Sequence, residues 1–216
     1  MIYQVDETRE KIIGEAEKLF LEKGFFETRM KDVAEKAGLS RNSLYRYYRD
    51  KSDLAVTIIE NIFSRYESMM GESFEKLLSN PTLSGLEKLR ESIRRIWIDG
   101  EKSPDGKLMA EFDAYYSGSR LTEEMKSKFI RLDNPRYTQR LIALIDEGKR
   151  DGSIRPELDS HLTFVTVLNG VRALNQRITL RGNVLVETIE GEIAKMPISH
   201  LDLLMEGLKN RSEKYE

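Results

Sequence analysis

Apolar residues recur every three to four positions along almost all of this 216-residue chain, the spacing of one face of an α-helix. Ile12, Ile13, Ala16, Leu19 and Phe20 form the first stripe, and Gly24 supplies its stop. Two short helices follow, about Met30 to Ala37 and Arg41 to Tyr47, with Gly38 between them. Asp50 and Asp53 suit the N-cap and N3 positions of a long fourth helix, whose apolar face runs from Ile58 to Leu77 and which Asn80-Pro81 ends. Ser84 to Glu87 reads as a capping box opening a fifth helix that continues through Trp97 to Gly100. Pro104 opens a sixth, ending near Gly118. Thr122 caps a seventh, which Asn134-Pro135 breaks or kinks before it resumes to Arg150. Asp159 caps an eighth, and Ser199 with Asp202 opens the last. Between Arg181 and Pro197 helical spacing competes with loop-like flanks, and no segment argues for a strand. The pattern predicts an all-α fold of about nine helices.

Composition narrows the function classes. Charged residues make up 33% of the chain and hydrophobic residues 39%, which fits amphipathic helices. There is no cysteine, so disulfides and thiolate metal sites are excluded. The N-terminal MIYQVDETRE lacks the apolar run of a signal peptide, and no stretch approaches the ~18 apolar residues that span a membrane. A cytoplasmic protein with no membrane partner is expected. The net charge is -2, so any affinity for nucleic acid has to be local.

Such a locality exists between Thr28 and Leu54, TRMKDVAEKAGLSRNSLYRYYRDKSDL. Val33, Leu39 and Leu44 are spaced to pack two short helices together, Ala34 lets them cross closely, and Gly38 permits the left-handed turn between them. This is the pattern of a helix-turn-helix, whose second helix enters the major groove. From Arg29 to Lys51 seven basic residues face three acidic ones, a local +4. Thr28, Ser40, Asn42, Ser43, Tyr45 and Tyr47 interleave hydroxyl, amide and phenol groups suited to phosphates and base edges. A helical hairpin with a solvated basic face would share the same spacing.

The stretch resembles the TetR family of regulators. The matching residues are Thr28, Val33-Ala34, Ala37-Gly38-Leu39-Ser40, Leu44-Tyr45, Tyr47-Tyr48, Lys51 and Leu54, with Phe20 and Gly24 on the first helix. Three positions depart from the family pattern: Arg29 replaces a second threonine, Arg41-Asn42-Ser43 stands where glycine and threonine are common, and Tyr48 replaces phenylalanine. The resemblance implies an N-terminal three-helix DNA-binding domain over residues 1–54 and a larger helical ligand-binding and dimerisation domain over residues 55–216. It implies phosphate contacts from Tyr45, Tyr47 and Lys51, with Ser43 beside them. Arg41 and Asn42 are the candidate base readers, for guanine and adenine. Thr28, Arg29, Lys31 and Ser40 complete the expected DNA-contacting set. The expected partners are a double-stranded operator, a small-molecule effector and a second copy of the chain.

In the body, the eighth helix is too apolar for a surface helix, and Gly170 would allow close approach of another helix. Val167, Gly170, Val171 and Leu174, with Leu201, Leu204 and Leu208 of the last helix, are the candidate dimer interface; a buried intramolecular core is the other reading. Trp97, Met109, Phe112, Asp113, Tyr116, Phe129, Tyr137, Leu141, Phe164, Leu168, Arg172 and Asn175 are the candidate pocket, Arg172 and Asn175 because they interrupt an apolar helix. The histidines, His161 and His200, stand beside helix starts, and no metal-binding pair, nucleophile elbow or phosphate loop occurs. No enzyme activity and no cofactor are expected. The predicted function is a ligand-responsive, homodimeric repressor on a palindromic operator; the alternative is a helical small-molecule-binding or interaction module without operator binding.

Overall fold

A computed structural model describes residues 2–69, 71–100, 103–132, 135–185 and 191–211, and among them the regular elements are helical. The first four helices are α1 (Ile2–Lys23), α2 (Met30–Ala37), α3 (Arg41–Tyr45) and α4 (Lys51–Met69). Then come α5 (Glu72–Leu78), α6 (Gly85–Ile93), α7 (Pro104–Tyr115), α8 (Glu123–Leu132) and α9 (Pro135–Arg150). The last two are α10 (Ser160–Arg181) and α11 (Met196–Leu208). The excess over nine has two sources. The expected fourth helix is interrupted at Gly71, which precedes α5, and the expected seventh divides at Pro135.

Local chemistry accounts for most boundaries. Gly24 and Gly38 take φ of 84° and 70°, the left-handed region that a side chain disfavours, and both end helices. The Ser84–Glu87 capping box forms, with Ser84 N donating to Glu87 Oε2 at 2.8 Å. Asp159 caps α10 by accepting from Leu162 N at 2.7 Å. After α6 the chain widens into a π-type turn over Arg94–Asp99, and the Trp97 carbonyl there accepts from Asn175 Nδ2 at 2.6 Å. The last helix starts at Met196 with Pro197 in its first turn, so Ser199 lies inside it and is not its cap.

The described chain forms two compact units. The first comprises residues 1–67 and 104–132, the second residues 68–103 and 133–216. In the first, α1, α2, α3, the start of α4, α7 and α8 share a core with Ile12, Phe20, Phe25, Leu44, Ile58, Phe112 and Tyr116. Its rings meet edge to face: Phe25 lies 4.9 Å from both Phe20 and Phe112 and 4.8 Å from Tyr115. In the second, α6 and α9 touch backbone to backbone. A Cβ on Gly85 would stand 2.2 Å from Gly148 N, so only glycine fits. Leu89, Ile93, Leu141, Ile145, Phe164, Val171 and Leu201 fill the core around that contact. No described helix is long and apolar enough to cross a membrane.

Candidate nucleic-acid interface

The short helices α2 and α3 are held by small and aliphatic side chains. Val33, Ala34, Ala37 and Leu44 are buried, and Leu39 N donates to Ala34 O at 2.8 Å across the Gly38 turn. This fixes α3 against α2 and turns its other face outward. Ser40 is the N-cap of α3; its Oγ accepts from Ser43 N at 3.1 Å and lies 2.8 Å from Ser43 Oγ. Arg41, Asn42, Tyr45 and Arg46 are exposed, with the Arg41 guanidinium 5.5 Å from the Tyr45 ring centre. Lys31 is exposed on α2, 3.6 Å from Glu35, and Arg29 is exposed at its start. Tyr47 and Ser43 are half-buried. Tyr48 is buried in the core, which pushes its phenol above the usual range.

Two expected contact residues are committed elsewhere. Thr28 is fully buried, and its hydroxyl donates to Gly24 O at 2.9 Å and Leu19 O at 3.3 Å. It closes the end of α1 and does not reach a phosphate. The cap of α2 is Arg29, whose backbone N donates to Asp32 Oδ2 at 3.1 Å in place of a threonine cap. Lys51 Nζ donates to three carbonyls: Phe25 at 2.8 Å, Thr28 at 3.0 Å and Phe26 at 3.2 Å. An ammonium has three donors, so none is left for a phosphate. Burial lowers the Lys51 pKa from its usual value. Lys51 acts instead as a clasp between the α1–α2 turn and the first residue of α4. Asp50 caps that helix, accepting from Asp53 N at 2.8 Å. Burial alone would raise its carboxyl, but the Asp53 amide and Arg49 hold it below the ordinary value.

The residues expected to line one pocket are divided between the two cores. Phe112 and Tyr116, with Met109 and Phe129, belong to the first core; Leu141 and Phe164, with Trp97 and Leu168, belong to the second. Phe112, Leu141 and Phe164 are sealed by their neighbours, so they face no void that admits a water. Asp113 is exposed, and Asn175 is buried and spent on the Trp97 carbonyl. Arg172 is half-buried and engaged with a neighbour. The side chain of Tyr137 lies outside the described residues. A surface cleft of about 550 Å³ lies among Leu77, Leu83, Glu87, Arg90, Glu91 and Arg95, and none of the expected pocket residues borders it.

The expected dimer residues divide as well. Val167, Val171, Leu201 and Leu208 are buried in the chain's own second core. The close approach at Gly170 is intramolecular: a Cβ there would meet His200 Nε2 of α11 at 3.3 Å. Leu174 and Leu204 stay half-exposed, and Leu162, Leu180 and Leu203, 63%, 40% and 71% exposed, are open apolar side chains on these two helices that periodicity did not single out.

Residues 12–58 match the model of bacterial regulatory proteins, tetR family. The chain is 24% identical over 167 residues to the HTH-type transcriptional repressor KstR2 of Mycolicibacterium smegmatis, covering 72% of each protein. It is 34% identical over 73 residues to the HTH-type transcriptional regulator HbdR of Aromatoleum sp., covering 34% of this chain and 32% of that one. Its fold is shared with the transcriptional regulator FadR of Bacillus subtilis, solved in complex with stearoyl-CoA. The TM-score there is 0.68 at 18% identity, over 92% of this chain and 98% of that one. These likenesses are to transcriptional regulators, and they agree with the packing of α2 against α3: over residues 12–58 the chain is similar to the helix-turn-helix segment of the tetR family of bacterial regulatory proteins.

Proposed function

We propose that this regulator is a ligand-responsive repressor that binds a palindromic operator as a homodimer. Residues 1–54 would form the DNA-binding domain and residues 55–216 the effector-binding and dimerisation domain. The observation that carries this reading is the outward row of α3, where Arg41, Asn42, Tyr45 and Arg46 are exposed above a buried Leu44. A recognition helix needs that arrangement: apolar residues to fix it and base-reading side chains free to enter the major groove. Arg41 and Asn42 read bases; Tyr45, Tyr47 and Lys31 meet phosphates. Two-fold symmetry would present two such helices about one DNA turn (~34 Å) apart. Leu162, Leu203, Leu174 and Leu204 of α10 and α11 supply the apolar surface for a second copy.

The effector reading rests on Trp97, Leu168 and Arg172 of the second unit, which are half-buried. An arginine beside apolar surface suits a long apolar ligand that ends in an anion. Bacillus subtilis FadR shares this fold and carries stearoyl-CoA, which makes acyl-CoA thioesters the first class to try. Effector binding would lower operator affinity by favouring a state in which α4 holds the two recognition helices off their groove spacing. A coupling of about 1–3 kcal/mol would give a 5–150-fold loss.

The test is a gel shift with the DNA upstream of the protein's own gene. Arg41→Ala and Asn42→Ala are each expected to lose about 1–3 kcal/mol of discrimination at one base pair. Saturating stearoyl-CoA is expected to release the duplex, and light scattering to give twice the chain mass. Variants that bind every duplex as the natural chain does would overturn the operator reading and favour a helical binding module without one.

A further inference from the structure

The turn between α7 and α8 carries an arginine that the helix-turn-helix does not include. Arg120 is exposed, and its guanidinium lies 4.9 Å from the Tyr115 ring centre and 5.4 Å from that of Phe26. Ring faces attract a cation without consuming its N–H groups. Among the described residues no carboxylate pairs with Arg120. The nearby carboxylates are occupied: Glu111 accepts from Phe25 N at 3.3 Å, and Glu124 accepts from Arg49 at 2.7 Å. Arg120 is thus a positioned cation with its donors still available.

Its position is what gives those donors a target. The Thr28 carbonyl on Lys51 Nζ brings the start of α2 beside the start of α4. Helix starts flanking a recognition helix are where a helix-turn-helix meets the DNA backbone. Phe26 is 60% exposed and lies three residues before the α2 cap, Arg29. Tyr115 is shared, since Lys51 Nζ sits 5.3 Å from the same ring centre. The Arg49–Glu124 pair ties the start of α8 to this end of the unit. Arg120 therefore stands beside the α1–α2 turn and close to the start of α4, although 66 residues of sequence separate it from Leu54.

We propose that Arg120 binds a backbone phosphate of operator DNA and extends the footprint beyond the helix-turn-helix by one contact per chain. The proposal rests on the operator reading given above. The contact is sequence-independent, because it reaches the phosphodiester and not a base edge. The test uses the full chain and a labelled duplex carrying the DNA upstream of its own gene, titrated at several salt concentrations. Each lost phosphate contact reduces the slope of log K against log salt by about 0.9, so Arg120→Gln on two bound chains is expected to flatten it by roughly 1.8. Base preference is expected to stay as in the natural chain. Arg120→Lys, which keeps the charge, is expected to retain the slope. An unchanged slope in Arg120→Gln overturns the inference, whether or not affinity falls, and so does a flattened slope in Arg120→Lys. If Arg41→Ala and Asn42→Ala alter base preference while Arg120→Gln keeps its slope, this inference fails alone. If those two variants also change nothing, the operator reading fails with it.

Discussion

The two cores of this protein are filled with different side chains, and each treats charge in its own way. The first holds an aromatic cluster among aliphatic side chains. Phe20, Phe25, Phe112, Tyr115 and Tyr116 meet at their edges, and the negative ring faces left over hold Lys51 and Arg120. The second is aliphatic around the α6–α9 contact, and its cations are matched by carboxylates: Lys88 with Glu147 at 2.6 Å, Arg90 with Asp202 at 2.6 Å, and Arg94 and Arg95 with Glu91. A ring face positions a cation and leaves its donors open, whereas a carboxylate uses them. In the unit that carries the recognition helix, Arg120 is held in this way with its donors open, whereas Lys51 spends its own on three carbonyls. Carboxylates also pair other cations of that unit, Arg49 with Glu124 at 2.7 Å and Arg65 with Asp105 at 2.6 Å.

Removing the ring at the centre of the first core is expected to have the largest effect. Phe25→Ala loses three edge-to-face partners and a fully buried side chain, at a cost of about 3–5 kcal/mol. Urea denaturation followed by circular dichroism checks the loss. The single tryptophan, Trp97, belongs to the second unit, so its fluorescence reads that unit separately and is expected to change less. A larger shift in the Trp97 signal would contradict the assignment of Phe25 to the first core alone.

The counterpart in the second unit is Gly85→Ala. The added Cβ would meet the backbone of Gly148 at 2.2 and 2.6 Å and Leu144 O at 2.7 Å. Backbone cannot rotate away as a side chain can, so the cost is expected near the top of the usual overpacking range, about 3 kcal/mol. A melting temperature equal to that of the natural chain would show that α6 and α9 do not touch here.

Lys51→Met comes next. It keeps an unbranched apolar side chain and removes the charged donor from three carbonyls and from the Phe25 ring face, with an expected loss of about 1.5–3 kcal/mol. Because those donors are already spent, the salt dependence of DNA binding is expected to keep its slope while affinity falls. A flattened slope would return Lys51 to the phosphate backbone.

The smallest expected effect is on acid sensitivity. The Arg94 guanidinium, with Arg95 behind it, holds the Glu91 carboxyl at about 2, below its usual 4.5. A depressed carboxyl adds stability that is fully present above the unfolded value and is lost as pH falls from about 4.5 towards 2. The pair is part-exposed, so the contribution is expected to stay below about 1 kcal/mol. Glu91→Gln should flatten the fall in urea midpoint between pH 5 and pH 3 relative to the natural chain. An equally steep fall would assign that acid sensitivity to other groups.

Particular residues show what was legible in advance. The bounds of α2, the Gly24 and Gly38 stops, the Ser84 capping box and the Asp159 cap were all readable, because each depends on neighbours within four positions. The break at Gly71 was not, since the apolar stripe runs through it unchanged. The candidates Arg41, Asn42 and Tyr45 came from the family resemblance and from their place on the second short helix, and all three are exposed. Arg120 was missed because it carries no motif and gains its setting from Phe26 and Tyr115, which only the fold brings to it.

The sequence by itself determined the helical class, most of the helix ends and the helix-turn-helix, since period, caps and turn glycines act over a few residues. Only the tertiary structure decided how interchangeable-looking residues are used. Lys51 and Thr28 turn inward to carbonyls that belong to other segments. Phe112 and Phe164 fall into separate cores, and Val167, Val171 and Leu201 face their own chain. Periodicity says which face of a helix is apolar, but what covers that face depends on contacts between residues far apart in the chain, and a local pattern carries no record of them.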